Sequence, residues 1–368
     1  MPTDRPARHP LAARRILRLA LGTSLCLLFS QLVAWPLSFV APVLTLVILA
    51  TPLPPLGVKN ALGLLVALLA PVILGAYLLL PFMEYARWVA ILLVGLALFY
   101  SFYFTARGGN PMLGMFMTVG LTLIVTVGSV SGDVVWLLIK TLFACTVTAI
   151  GFTWIAHALL PDMAGQAAPD GQKKPQPPKP GPAGAGRTAL RALFVTLPMA
   201  LLFLFMSGSP GYTVVMIKVA TMGQQATADL SKAMATSLMM STLWGGLGAM
   251  AAWYVLSIWP SLLMYTLLVG LAGLVYGRWI FQGPAVHPQL QMAQYAYLTM
   301  IVILAPAVLD GAAGSGAGAA FWTRGMLFVL IAVYGTVAVR VFDAFWPPVR
   351  YEEKPAGLSD PAPVKSHG

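Results

Sequence analysis

The feature that most constrains this chain is a succession of apolar stretches, each about 20 residues long and nearly free of charge, parted by Pro, Gly or basic residues. A stretch of that length crosses the hydrocarbon of a bilayer as a helix, because a helix satisfies its backbone groups within itself. Only 9% of the residues are charged and 59% are hydrophobic, where a soluble domain carries roughly 25% charge. The chain is therefore read as an all-α polytopic membrane protein. Its net charge of +11 does not point to nucleic acid, since Lys and Arg stand at the ends of apolar stretches and in one linker instead of forming a patch. Cys26 and Cys145 lie in apolar runs without disulfide or metal spacing. The basic start imitates a secretory signal, but no small-residue cleavage site precedes Trp35-Pro36 and more apolar sequence follows at once.

Apolar length predicts crossings at residues 16–34, 39–53, 60–80, 87–105, 111–130 and 134–160. Six more are predicted at 190–206, 212–222, 233–258, 262–281, 290–308 and 321–345. The organisation is then a tail at 1–13, a first membrane block at 14–160, a linker at 161–186, a second block at 187–346 and a tail at 347–368. Lys173, Lys174 and Lys179 sit in the linker among prolines and glycines with no aromatic residue, the composition of a flexible connection. The blocks read as one design used twice. Arg14, Leu17, Arg18 and Thr23 pair without a gap with Arg187, Leu190, Arg191 and Thr196. Ser131-Gly132, Lys140 and Gly151 share their mutual spacing with Ser315-Gly316, Arg324 and Gly335, a longer Gly/Ala loop absorbing the remaining difference. With the N-terminus in the cytoplasm, Lys59, Arg107, Lys232, Arg278, the linker lysines, Arg350, Lys354 and Lys365 fall inside, and Arg87 is the clear loop exception. Both termini are then cytoplasmic, and two six-helix halves form a parallel repeat about the membrane normal.

Cations inside the bilayer are costly and are kept for a task. Lys140 in the sixth segment, its repeat partner Arg324 in the twelfth and Lys218 in the eighth are expected at a similar depth, which makes them a candidate anion site. The competing reading is that they snorkel to the interface or neutralise Asp133, Asp310 or Glu84. The second and eighth segments are both short. Pro42 interrupts the one, close to Thr45, and Gln224-Gln225 follow the other, a pattern that marks transporter sites or merely tilted packing helices. Arg14 with Arg18, and Arg187 with Arg191, share a helix face at the cytoplasmic boundary. They either gather anionic substrate or anchor to anionic lipid headgroups. Gly151 and Gly335 are expected to permit close helix packing. Trp35, Trp88, Trp136, Trp259, Trp322 and Trp346 fall near segment ends, as an aromatic belt does. His157, with Asp133 and Asp310, is the candidate set for proton coupling, the alternative being a structural histidine. No Ser/His/Asp arrangement, His pair or Gly-rich phosphate loop is present, so neither catalysis nor ATP hydrolysis is expected, and no cofactor or metal.

The repeated Arg-x-x-Leu-Arg helix start, Trp35-Pro36 ahead of a Pro-bearing segment, and the Lys140/Arg324 and Gly151/Gly335 pairs resemble the aromatic acid exporter, or fusaric acid resistance-like, family. The chain looks like its compact branch, two membrane blocks joined only by a linker where larger relatives carry a cytoplasmic domain. The resemblance implies a bacterial inner-membrane exporter of aromatic or other organic anions. It implies as partner a periplasmic adaptor of the membrane-fusion family; an outer-membrane channel and further copies of the chain are candidate partners beside it. Two other readings stay open: a facilitator-type twelve-helix transporter, and a membrane scaffold for an envelope or secretion complex. The facilitator signature Gly-x-x-x-Asp-Arg-x-Gly-Arg-Arg is missing where Pro54-Pro55-Leu56-Gly57-Val58-Lys59 stands.

Overall fold

The computed structural model describes residues 10–51, 55–127, 132–161, 181–205, 211–228, 234–281, 289–312 and 317–347. Both tails beyond these limits and most of the predicted linker lie outside the described residues. Every regular element among them is a helix: α1 (Pro10–Val33), α2 (Val40–Ala50), α3 (Val58–Tyr85), α4 (Arg87–Ala106), α5 (Pro111–Val127) and α6 (Gly132–Leu159). Then come α7 (Pro182–Phe205), α8 (Gly211–Ala228), α9 (Met234–Ile258), α10 (Leu262–Ile280), α11 (Gln289–Ala312) and α12 (Ala317–Phe345). Among the described residues seven helices are long and apolar enough to cross a membrane, which makes this a multi-pass membrane protein.

Local chemistry explains the helix limits. Asn110 Oδ1 accepts the Met112 N–H at 3.0 Å and Pro111 opens α5, where its missing N–H costs nothing. Ser261 accepts the Met264 N–H at 3.1 Å and caps α10. The turn from α1 to α2 holds Ala34 and Leu37 at φ 53° and 56°, flanking Trp35-Pro36. Pro42, expected to interrupt its segment, falls in the first turn of α2, where no helical N–H bond is lost; α2 is short but unbroken. The eighth segment is longer than its apolar run. It continues through Ala228, so Gln224 and Gln225 belong to the helix instead of following it. Residues 182–186, read as linker, are the first turn of α7.

Burial sorts the helices into two groups. Large exposed apolar side chains lie on α1, α3, α4, α6, α7, α9, α10 and α12, as with Leu62, Leu92, Phe143, Leu247, Leu267 and Leu330. Such a belt would aggregate in water and faces lipid in a bilayer. The described side chains of α2, α5, α8 and α11 include none of this kind, and every residue of α2 is buried. These four form the interior, with α5 packed on α8 and α2 on α11. Around them α1 packs on α2, α6 and α10, α7 on α8, α12 and α4, α3 on α5, and α9 on α11.

At two helical glycines the facing atom is a backbone carbonyl oxygen of a neighbouring helix. A Cβ on Gly120 of α5 would stand 2.5 Å from the Leu68 carbonyl oxygen of α3, and one on Gly245 of α9 would stand 2.5 Å from that of Ala296 of α11. Backbone on a packed helix cannot yield as a side chain can. Gly151, expected at a close contact, faces open space, whereas a Cβ on Gly335 would meet the end of the Met222 side chain. Gly120→Val and Gly245→Val are therefore expected to cost about 1–3 kcal/mol each and to lower the melting temperature in detergent by several degrees. Gly151→Ala should leave it within a degree or so of wild type, read in the same thermal scan.

Candidate functional site

The repeated arginine pairs are engaged in structure. Arg14 Nη1 donates to the Pro161 carbonyl at 2.9 Å, and Arg18, nearly buried, donates through Nη2 to the Leu160 carbonyl at 2.6 Å. At the other pair, Arg187 donates through Nε to the Trp346 carbonyl at 3.0 Å, and Arg187 and Arg191 hold the two oxygens of Asp343 at 2.9 and 2.7 Å. Each pair thus grips the C-terminal end of the last helix of its block, where unpaired carbonyls and the helix dipole favour a cation. Arg191 is 1% exposed. Offered in sequence as a basic entrance, Arg18 and Arg191 are buried and already bonded in this state.

The three membrane cations do not share one pocket. Lys140 is exposed, in an open groove of about 580 Å³ on the outer face of α6 with Asp133, Trp136 and Leu137. Arg324 is half-buried on α12. Lys218 is different: it is completely buried on α8, and among the described residues its one side-chain partner is Thr299 of α11, whose hydroxyl accepts its Nζ at 2.9 Å. The Thr299 hydroxyl in turn donates to the Tyr295 carbonyl at 2.7 Å. Pro42 and Thr45 serve packing: Thr45 bonds the Ala41 carbonyl at 2.9 Å and the Cys26 Sγ at 3.2 Å, joining α2 to α1.

The proton-coupling set is dispersed as well. His157 sits half-buried in the last turn of α6, its Nδ1–H donating to the Thr153 carbonyl at 2.8 Å. Asp133 lies exposed in the first turn of the same helix, at its opposite end. Asp310 falls in α11, but its side chain lies outside the described residues. No group of three or more His, Cys, Asp or Glu side chains gathers as metal ligands among the described residues.

Gln224, expected to follow the eighth segment, instead belongs to a set of buried polar groups on the α5 side of α8. Gln224 Nε2 donates to the Gly114 carbonyl at 2.9 Å and to Thr118 Oγ1 at 2.6 Å, and Thr118 and Ser101 hydroxyls lie 2.9 Å apart. This net ties α8 to α5 and α4. Across the bundle the Thr23 and Tyr297 hydroxyls lie 2.8 Å apart, and Tyr297 donates to the Val269 carbonyl at 2.9 Å, tying α1, α11 and α10. The signal for the first set was present as two glutamines beside an apolar run; the limit drawn at residue 222 hid it.

A buried cation, hydroxyl and amide groups in the central helices and a lipid-facing belt define the class: a multi-pass membrane protein with a polar interior. Residues 15–156 match the model of a family described as a protein of unknown function (DUF2955), to whose members the chain is similar over that stretch. No curated protein and no solved structure matches the chain.

The ion pairs at Asp343 carry an energetic consequence. Asp343→Ala removes the carboxylate that Arg187 and Arg191 share, and because Asp343 is 28% exposed the loss is expected at the low end for such pairs, about 3 kcal/mol. In a thermal double-mutant cycle, Arg191→Met with Asp343→Ala should cost less than the two single changes added together.

Proposed function

We propose that this chain is an inner-membrane efflux permease for aromatic or other hydrophobic organic anions, with both termini cytoplasmic and a periplasmic membrane-fusion adaptor as partner. Lys218 carries the reading. A buried ammonium loses several kcal/mol of hydration, and one neutral hydroxyl restores only part of it. An organic anion entering beside α8 supplies the missing opposite charge, and the apolar walls around it take a ring or chain. In the state described here Lys218 is closed off on all sides, so transport requires α8 and its neighbours to part, as alternating access does.

The helix contacts support two related halves. Packing of α1 on α2, α6 and α10 is echoed by α7 on α8, α12 and α4; α3 on α5 is echoed by α9 on α11, and α5 on α8 by α11 on α2. Replacing each helix by the one six later maps one set onto the other, in line with the matched arginine pairs of the sequence. The pair α2 and α8 then faces the middle from both halves, where parallel-repeat transporters bind substrate. The resemblance to aromatic acid exporters contributes the substrate class and the adaptor, and the anionic lipids expected at the arginine-rich ends complete the partners.

The direct test is accumulation of a panel of radiolabelled aromatic acids in cells with and without the protein. Wild type is expected to lower accumulation of at least one acid several-fold, Lys218→Met to abolish the effect, and exposed Lys140→Ala to keep it. If no acid responds to wild type while an adaptor still co-purifies with it, the scaffold reading replaces this one.

A further inference from the structure

We infer that Gln225 reads a second, neutral group on the transported anion, one that offers a hydrogen-bond donor and an acceptor together, as a primary amide does. The inference rests on the export reading and extends it from one charge to two points of recognition.

Gln224 and Gln225 are adjacent, and nearly equally buried at 4% and 6% exposure, yet they are used in opposite ways. Gln224 spends its amide on Gly114 and Thr118 of α5. Gln225 has neither its Nε2 nor its Oε1 hydrogen-bonded, although both atoms are out of contact with solvent. Leaving a buried donor and a buried acceptor unmade is among the more expensive arrangements a protein keeps, more so in the middle of a membrane bundle. Leu or Met would fill the same space without that cost.

Its position gives the exception a direction. Seven residues along a helix come within about 20° of two full turns, so Lys218 and Gln225 lie on one stripe of α8, about 10.5 Å apart along the axis. Thr221, between them on the same side, turns its hydroxyl back to the Lys218 carbonyl at 2.8 Å and leaves the stripe to its neighbours. Lys218 points to α11 through Thr299, so the stripe looks toward α11 and away from the α5 side that Gln224 occupies. A ring with groups at opposite ends, with a hydrogen bond made at each, bridges a separation of about this size. An anion at Lys218 and a donor–acceptor group at Gln225 would satisfy both exceptions in one ligand. An amide facing an amide makes two hydrogen bonds; a ketone makes one and leaves the Gln225 carbonyl unmet.

The test is calorimetric binding to the purified full-length protein of three probes: benzoate, 4-carbamoylbenzoate and 4-acetylbenzoate. Wild type is expected to bind the carbamoyl compound about tenfold or more tightly than the acetyl compound, the ratio one desolvated hydrogen bond supplies. Gln225→Met should bring the two within about twofold while benzoate binding holds. Equal binding of both by wild type overturns the inference whether or not the variant folds, and if benzoate still binds, the export reading survives. If none of the three binds, both fall. A Gln225→Met protein that keeps the preference shows that Gln225 holds only a structural water, and that too overturns it.

Discussion

The whole bundle is governed by the cost of a polar group without a partner in hydrocarbon. Its threonines show how thoroughly that cost is avoided. Thr146, Thr153 and Thr196 each return their hydroxyl to the carbonyl four residues earlier, at 2.7 to 2.8 Å. A side chain that satisfies itself within its own turn can sit on any face, so it adds no demand on the neighbouring helix. The arginines obey the same rule at the helix ends, where Arg14, Arg18 and Arg187 find carbonyls left over by α6 and α12. Fixed there, they tie the first and last helices of each block together.

Against that background α8 stands out, although the buried Tyr265 hydroxyl of α10 also has no partner among the described residues. Lys218 has a hydroxyl where a carboxylate would balance it, and Gln225 has nothing. Local rules are broken at sites of function, because the partner that completes them arrives from outside. The contrast with Arg191 is instructive: it is equally buried, but Asp343 neutralises it, and the pair then acts as a clamp. Charge alone does not set Lys218 apart from Arg191; the lack of a carboxylate beside it does.

Apolar length located the helices well, since the bilayer imposes it: the limits of α4, α9 and α10 differ from expectation by one residue at most at either end. It failed where a helix carries polar residues at its end. The glutamines ended the apolar run of the eighth segment, while the helix itself goes on through Ala228. Depth along a helix was legible too, but the direction a side chain faces was not. Lys140 and Lys218 were expected at one depth, and one turns out of the bundle while the other turns in. That choice depends on which helices surround each segment, and chain order does not give it. Pro42 was misjudged for a related reason, because a proline breaks a helix only beyond its first turn. The pairing of Arg187 and Arg191 with Asp343 spans more than 150 positions and had no local signature.

The central claim is that the buried stripe of α8 opens to an anion. It is tested most directly by placing a cysteine at Thr221, on the same side of α8 as Lys218 and leaving that lysine in place, in a chain with Cys26 and Cys145 changed to alanine, and measuring its labelling by an anionic, membrane-impermeant methanethiosulfonate in intact membranes. The account predicts labelling from at least one side of the membrane, slowed when benzoate is present. A cysteine at position 221 that stays unreactive from both sides, with and without benzoate, would contradict it.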